Sequence, residues 1–257
     1  MPRVTQREPP TSPRRGPRPP RARDLRGGPP RKPPPALQRT TLWDYPSQHY
    51  GDAQQGRQSY RGATPSYVIW NVIDRFTRPG ELVVDPFAGS GTTLDVARDL
   101  GRRARAFDVA PFHADAEVAD ARRLPLADRS VDLVFMDPPY ADNLTYSDDP
   151  RCIGRLRGDG PYQAAMREVI GEATRVLRPD GVLAIYVCDV FQRGQPFAAL
   201  GFDLFAIARA ALEPIDVVAV VRHNKQLADR DQLGGAERAG LMLRGFNYLL
   251  LFRRPAR

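Results

Sequence analysis

The sequence predicts an α/β fold built on a mostly parallel sheet, and three observations carry that expectation. From about Thr41 onward, short apolar runs alternate with segments of helical periodicity, the pattern of strands joined by crossover helices. Two of the runs end in an acid followed at once by turn residues, "ELVVD" into "PFAGSGTT" and "VDLVFMD" into "PPY". The last two runs, "IDVVAVV" and "FNYLLLF", have no helical pattern between them, which predicts an antiparallel hairpin at one edge of the sheet.

Each element has its own signal. Thr64 followed by Pro65 marks a helix start, and Val68, Ile69, Val72, Ile73 and Phe76 recur at helical spacing until Arg78, Pro79 and Gly80 end it. A strand over 81–85 leads through a glycine-rich turn to a helix over 92–100. Strands follow at 104–108, weakly at 116–119, and at 131–137. A helix over 161–177, a turn at "RPDG" and a buried strand ending near 188 come next, then a helix over 196–211 and the strands 215–221 and 246–252. No internal repeat is present.

Composition divides the 257 residues at about residue 40. The first 40 residues hold 12 of the 26 prolines and 11 of the 38 Lys and Arg, against only Glu8 and Asp24. Residues 1–40 therefore carry +9 of a total of +8, and 41–257 carry −1. With little to bury and many prolines, the segment is expected to be a disordered basic tail ahead of a single domain. It attracts a polyanion by counterion release, or it is a solvated solubilising stretch. It has no signal-peptide apolar core, and no run of about 18 apolar residues occurs anywhere in the chain, so a cytoplasmic protein is expected. The two cysteines, Cys152 and Cys188, form no CxxC pair, and His49, His113 and His223 have no metal-ligand spacing, so no metal site is expected.

The chemistry is expected beyond the carboxyl ends of the strands, where ligands bind in open sheets of this kind. Gly89 and Gly91 permit a tight turn and close approach of a ligand to the backbone. The absence of lysine from "GSGTT" excludes a P-loop, and no third glycine completes a dinucleotide fingerprint. Asp85, at the end of its strand, suits a cationic ligand better than a pyrophosphate. Asp108 closes the next strand, where a carboxylate accepts from two ribose hydroxyls.

"VVDPFAGSGTT" followed by "MDPPY" resembles the amino-methyltransferases that use S-adenosylmethionine, in particular the DNA adenine-N6 and cytosine-N4 group, over roughly residues 57 to 252. The resemblance implies a Rossmann-like class I methyltransferase, a seven-stranded, mostly parallel sheet with an antiparallel edge hairpin. It implies that Asp85, Pro86, Phe87, Gly89, Ser90, Gly91 and Thr92 shape the methionine end of a cofactor pocket. Asp120, with Ala121, would receive the cofactor's adenine, and Thr64 and Pro65 would stand where an upstream cofactor-binding segment lies. Asp137 and the Pro138 carbonyl would accept hydrogen bonds from an exocyclic amine, Pro139 would stiffen the chain, and Tyr140 would stack on an extruded base.

The implied partner is nucleic acid, with DNA ahead of RNA, and no membrane; a cognate restriction enzyme is not determinable. RNA guanine N2, protein glutamine and a non-catalytic nucleic-acid binder remain as alternatives. Asn143 and Tyr146, in the polar segment after Tyr140, and Lys225, between the closing strands, are the candidate substrate contacts. Arg222, Arg230, Arg238 and Arg244 add a slight positive excess to that second region.

Overall fold

A computed structural model of the chain describes residues 34–45, 47–57, 59–60, 62–140, 147–156, 159–190, 197–223, 230–238 and 240–256. Its strands are β1 (Leu42–Trp43), β2 (Leu82–Asp85), β3 (Arg103–Asp108), β4 (Glu117–Val118), β5 (Val131–Met136), β6 (Leu177–Val187), β7 (Glu213–Val221) and β8 (Phe246–Arg253). The helices are α1 (Ser66–Phe76), α2 (Thr92–Asp99), α3 (Asp159–Val176), α4 (Leu200–Arg209) and α5 (Arg230–Arg238). The strands form one sheet in the order β1-β7-β8-β6-β5-β2-β3-β4. Only the pairings of β8 with β6 and with β7 are antiparallel; the other neighbours run parallel.

All seven expected strands are present, and three details differ from the sequence reading. β1 is an additional strand of two residues, pairing Leu42 with Ala219 and Trp43 with Val220, too short for any periodicity to show. It covers β7, so the antiparallel pair does not form the outermost edge. The connection between β7 and β8, expected to be without a helix, contains α5; its "RDQLGGAER" carries two glycines that weaken a helical signal. Finally, "RPDG" does not precede the buried strand but lies inside β6 as a bulge. Pairing with β5 passes from Val131↔Leu177 to Leu133↔Val182, and Asp180 takes a left-handed φ of 63°.

Alternation along the strands builds two apolar layers. Leu133 and Phe135 of β5 join Val83, Val182 and Ala184 against Val68, Ile69, Val72 and Ile73 of α1. The opposite face, with Val131, Val134 and Met136, packs with Val84, Leu183 and Ile185 against Met166, Val169 and Ile170 of α3 and Leu204 of α4. Every residue of β5 is buried, as a central strand covered on both faces requires. Its one charge, Asp132, accepts from the Leu82 N–H at 2.6 Å and pairs with Arg178 at 2.7 Å.

Residues 36–38 lie on α1: the Gln38 N–H donates to Asn71 Oδ1 at 2.7 Å, and Asn71 Nδ2 donates to the Ala36 carbonyl at 3.2 Å. No helix among the described residues is long and apolar enough to cross a membrane.

Candidate active site

The strand order reverses between β2 and β5, because the chain runs outward from β2 through β3 and β4 and then returns to β5 on the other side. The register Val83↔Leu133 and Val84↔Val134 brings the carboxyl ends of these two strands side by side. Asp85 ends β2 and Asp137 follows the last residue of β5, so two acids distant in sequence meet at the switch point.

The turn after β2 is shaped by its glycines. Gly91 caps α2 at φ 81°, and a Cβ there would sit 2.4 Å from the His113 ring. Gly89, at φ 44°, has the Tyr60 ring 3.1 Å from the place a Cβ would take. Ser90 and Thr92 share a hydrogen bond of 2.7 Å, and the Arg57 N–H donates to the Ser90 carbonyl at 2.9 Å, so Gly56, Arg57 and Tyr60 lie against the turn. Gly91→Ala is expected to destabilise the fold by at least about 1–2 kcal/mol from the left-handed backbone alone, with more from displacing His113. A denaturant titration measures it.

Three carboxylates surround the turn. Asp85 is buried and accepts from the Phe87 N–H at 2.9 Å and the Thr93 hydroxyl at 2.6 Å. Burial pushes it up to about 6, the two hydrogen bonds opposing. Asp108 accepts from the Gly89 N–H at 3.2 Å and the Ala110 N–H at 3.0 Å, and burial raises it as well. Asp120 is held by Arg122, whose Nε and Nη2 lie 2.9 and 2.7 Å from its two oxygens. Burial works against the Asp120 charge, but the Arg122 side chain and N–H outweigh it and hold the carboxyl below its usual range.

Asp137 accepts from two hydroxyls, Thr64 at 2.5 Å and Tyr140 at 2.8 Å. Burial lifts it to about 7 against those bonds, with the nearby Asp85 charge adding to the rise. The Tyr162 hydroxyl of α3 donates to the Pro139 carbonyl at 2.8 Å and pins the segment that carries it. Thr64 reads as a helix cap, yet α1 begins at Ser66 with Pro65 as its cap and with no side-chain cap bond. The Thr64 hydroxyl goes to the carboxylate instead of the helix.

An open cleft lies over these groups. Of the residues singled out in the sequence, Pro86, Phe87, Asp108, Asp120, Ala121, Asp137 and Pro139 line it. Asp85, Ser90 and Thr92 support it from beneath, buried and bonded to neighbours. Tyr60, Val109, Ala119, Arg151, Cys152 and Ile153 also line it and were not expected. Cys152, read as a packing residue, opens a short 3-10 turn (Ile153–Arg155) that faces the cleft. Its neighbours in sequence carry no motif, so only the fold brings them there. Asn143, Tyr146 and Lys225 lie outside the described residues.

Comparison with known proteins meets this geometry from two directions. Residues 18–118 match the DNA methylase family model. The matching segment includes Asp85, Gly89, Gly91 and Asp108 and ends upstream of Asp137. Over 39 residues the chain is 49% identical to the type II methyltransferase M2.DpnII of Streptococcus pneumoniae, a match that spans only 15% of each protein. Among solved structures, geranyl diphosphate methyltransferase in complex with SAM is similar at TM-score 0.50 and 16% identity, over 74% of this chain and 85% of that one. TrmN from Thermus thermophilus reaches TM-score 0.51 at 17% identity, over 76% and 50% of the two chains. The architecture is thus the class I methyltransferase fold, a mostly parallel sheet with one antiparallel strand.

Proposed function

We propose that the protein transfers the methyl group of S-adenosylmethionine to an exocyclic amine of a DNA base, adenine N6 or cytosine N4. The observation that carries this reading is the Asp137 carboxylate, held by Thr64 and Tyr140 in the wall of a cleft whose lining suits the cofactor. The DNA methylase match over the Gly-rich turn supports DNA as the substrate.

The residues fit the cofactor. Gly89 and Gly91 give the tight turn the methionine portion would lie against, with the Tyr60 and His113 rings packed where their side chains would be, and Asp85 beside Thr93 favours a cation. Asp108 accepts backbone N–H groups on both oxygens, and a carboxylate has further lone pairs for ribose hydroxyls. Ala119, Ala121, Cys152 and Ile153 make an apolar slot for the purine beside Asp120. Bound there, the cofactor supplies a methyl group on a sulfonium, open to in-line attack.

The protein's own work concerns the acceptor nitrogen. An amine conjugated with a base ring is a poor nucleophile, because its lone pair is shared with the ring. Asp137 accepts one of its hydrogens, the Pro138 carbonyl accepts the other, and the nitrogen moves towards tetrahedral geometry with its lone pair aimed at the methyl group. Positioning supplies most of the effect. Thr64 keeps one carboxylate oxygen oriented while the Tyr140 hydroxyl gives way, and the Tyr140 ring stacks on the base.

Ionised Asp137 is the accepting form, and burial places its titration near 7. Turnover is therefore expected to rise with pH through about 7, with kcat/KM reporting the free enzyme's group. The direct test incubates the protein and Asp137→Ala with methyl-labelled S-adenosylmethionine and, separately, unmethylated genomic DNA and total RNA. Label in DNA that is lost in the variant supports the reading, and nucleoside mass spectrometry assigns the nitrogen. Label in RNA alone, or in neither polymer, overturns DNA as the substrate.

A further inference from the structure

A second cluster lies along the same edge of the sheet, used by neither the cofactor cleft nor the Asp137 carboxylate. β8 runs against β6 and β7, and the pairs Val187↔Tyr248 and Val221↔Phe246 place its first residues beside the carboxyl ends of both neighbours. Phe197, Phe202 and Phe246 are 50%, 67% and 42% exposed. Tyr248 joins them: its ring centre is 5.0 Å from that of Phe246 and 6.0 Å from that of Phe202, near edge-on to both. The Tyr248 ring lies flat against Gly201, where a Cβ would come within 2.4 Å of it. Its hydroxyl and the Gly201 N–H occupy the Asp189 carboxylate at 3.1 and 3.0 Å.

Two guanidiniums flank these rings. Arg222 Nη1 donates to the Cys188 sulfur at 3.1 Å, a weak acceptor. Arg244 lies over the Phe197 ring at 5.3 Å, its Nη2 donates to the Met242 carbonyl at 2.7 Å, and its Nε is buried without a partner. Neither takes part in an ion pair with a carboxylate among the described residues. β6 joins the cluster to the active site: Ile185 pairs with Met136, the residue before Asp137, and Val187, two residues on, pairs with Tyr248.

Exposed rings grouped on one edge mark a binding surface, since single scattered apolar residues are the norm. Rings alone would suit a protein partner. Arginines without an ion pair among the described residues suit phosphate, and exposed rings suit bases that are not already stacked in a duplex. We infer that Phe202, Phe246, Tyr248, Arg222 and Arg244 form a platform for the unpaired DNA strand next to the acceptor base. Phe202 and Phe246, supported by Tyr248 between them, stack its bases, and the two arginines take its phosphates. This rests on the function proposed above and adds the state of the substrate: a strand opened around the target.

The test measures binding of a short fluorescent single-stranded oligodeoxynucleotide and of its duplex to the full chain, alongside labelled methyl transfer. Phe246→Leu and Phe202→Leu are expected to weaken single-strand binding roughly five-fold or more each, while Phe246→Trp retains it. Val118→Ala, on the exposed strand at the far edge, serves as control and is expected to bind as the parent does. Arg222→Gln and Arg244→Gln are expected to lower the salt slope by about 0.7 each. Leucine variants that bind like the parent, or that lose duplex and single strand equally, overturn the platform. If those variants also methylate DNA normally, the proposed function survives the platform's failure. If the parent binds through the platform but transfers no methyl group to DNA, the function fails and the platform stands. A parent that does not bind DNA overturns both.

Discussion

Asp137→Ala is expected to lower methyl transfer by at least ~10²-fold, the scale of losing a positioned proton-accepting group, with cofactor affinity nearly unchanged. The carboxylate touches Thr64 and Tyr140, and the groups assigned to ribose and adenine are other residues. Isothermal calorimetry with S-adenosylmethionine and single-turnover transfer separate the two quantities. Asp137→Asn adds a second signature. The folded protein raises Asp137 from 3.8 to about 7, so it holds a proton that the unfolded chain releases. That contribution is fully present below pH 3.8 and is lost as the pH rises through about 7. At pH 8 the carboxylate therefore costs stability, and the uncharged asparagine should recover roughly 2–4 kcal/mol of it. An inactive Asn variant that melts higher than the parent at pH 8, and level with it at pH 4, is the expected result. A variant as active as the parent would remove Asp137 from the mechanism.

The second large effect belongs to Asp108. Its oxygens accept from Gly89 and Ala110, and the residue lines the cleft. Hydrogen bonds to a charged acceptor contribute about 1.5–3 kcal/mol, so Asp108→Ala is expected to weaken cofactor binding by roughly 10- to 100-fold. Calorimetry reads this directly, and an unchanged affinity would place the ribose elsewhere. Asp108 also ties the Gly-rich turn to the end of β3, so Asp108→Asn, which keeps one acceptor oxygen, should show a smaller loss than alanine.

Much of this site was legible in the sequence because its residues sit at the ends of strands that announce themselves. "ELVVD" and "VDLVFMD" are apolar runs closed by an acid, and a parallel sheet delivers the ends of such runs to one edge. Gly89 and Gly91 were legible for a related reason, since a tight turn between a strand and a helix requires residues without a Cβ. Other residues left no such trace. Arg151, Cys152 and Ile153 reach the cleft from a short turn in a segment with no periodicity. β1, with two residues, is defined only by its pairing with β7, and α5 is hidden by its glycines.

Thr64 shows the limit most directly. Its position before Pro65 is a local helix-start pattern, and local patterns describe what a hydroxyl can do for its own backbone. In the folded chain the same hydroxyl lies against Asp137, 73 residues away, and donates there. The sequence by itself determined the fold class, the two acids at the switch point and the glycine turn, because periodicity and strand-end chemistry are properties of neighbouring residues. Only the tertiary structure decided that Thr64 and Tyr140 share the oxygens of Asp137, that Arg122 holds Asp120, and that rings from α4 and β8 gather beside two arginines. Those contacts are between elements, and burial, which raises Asp85 and Asp137, exists only once the elements have packed.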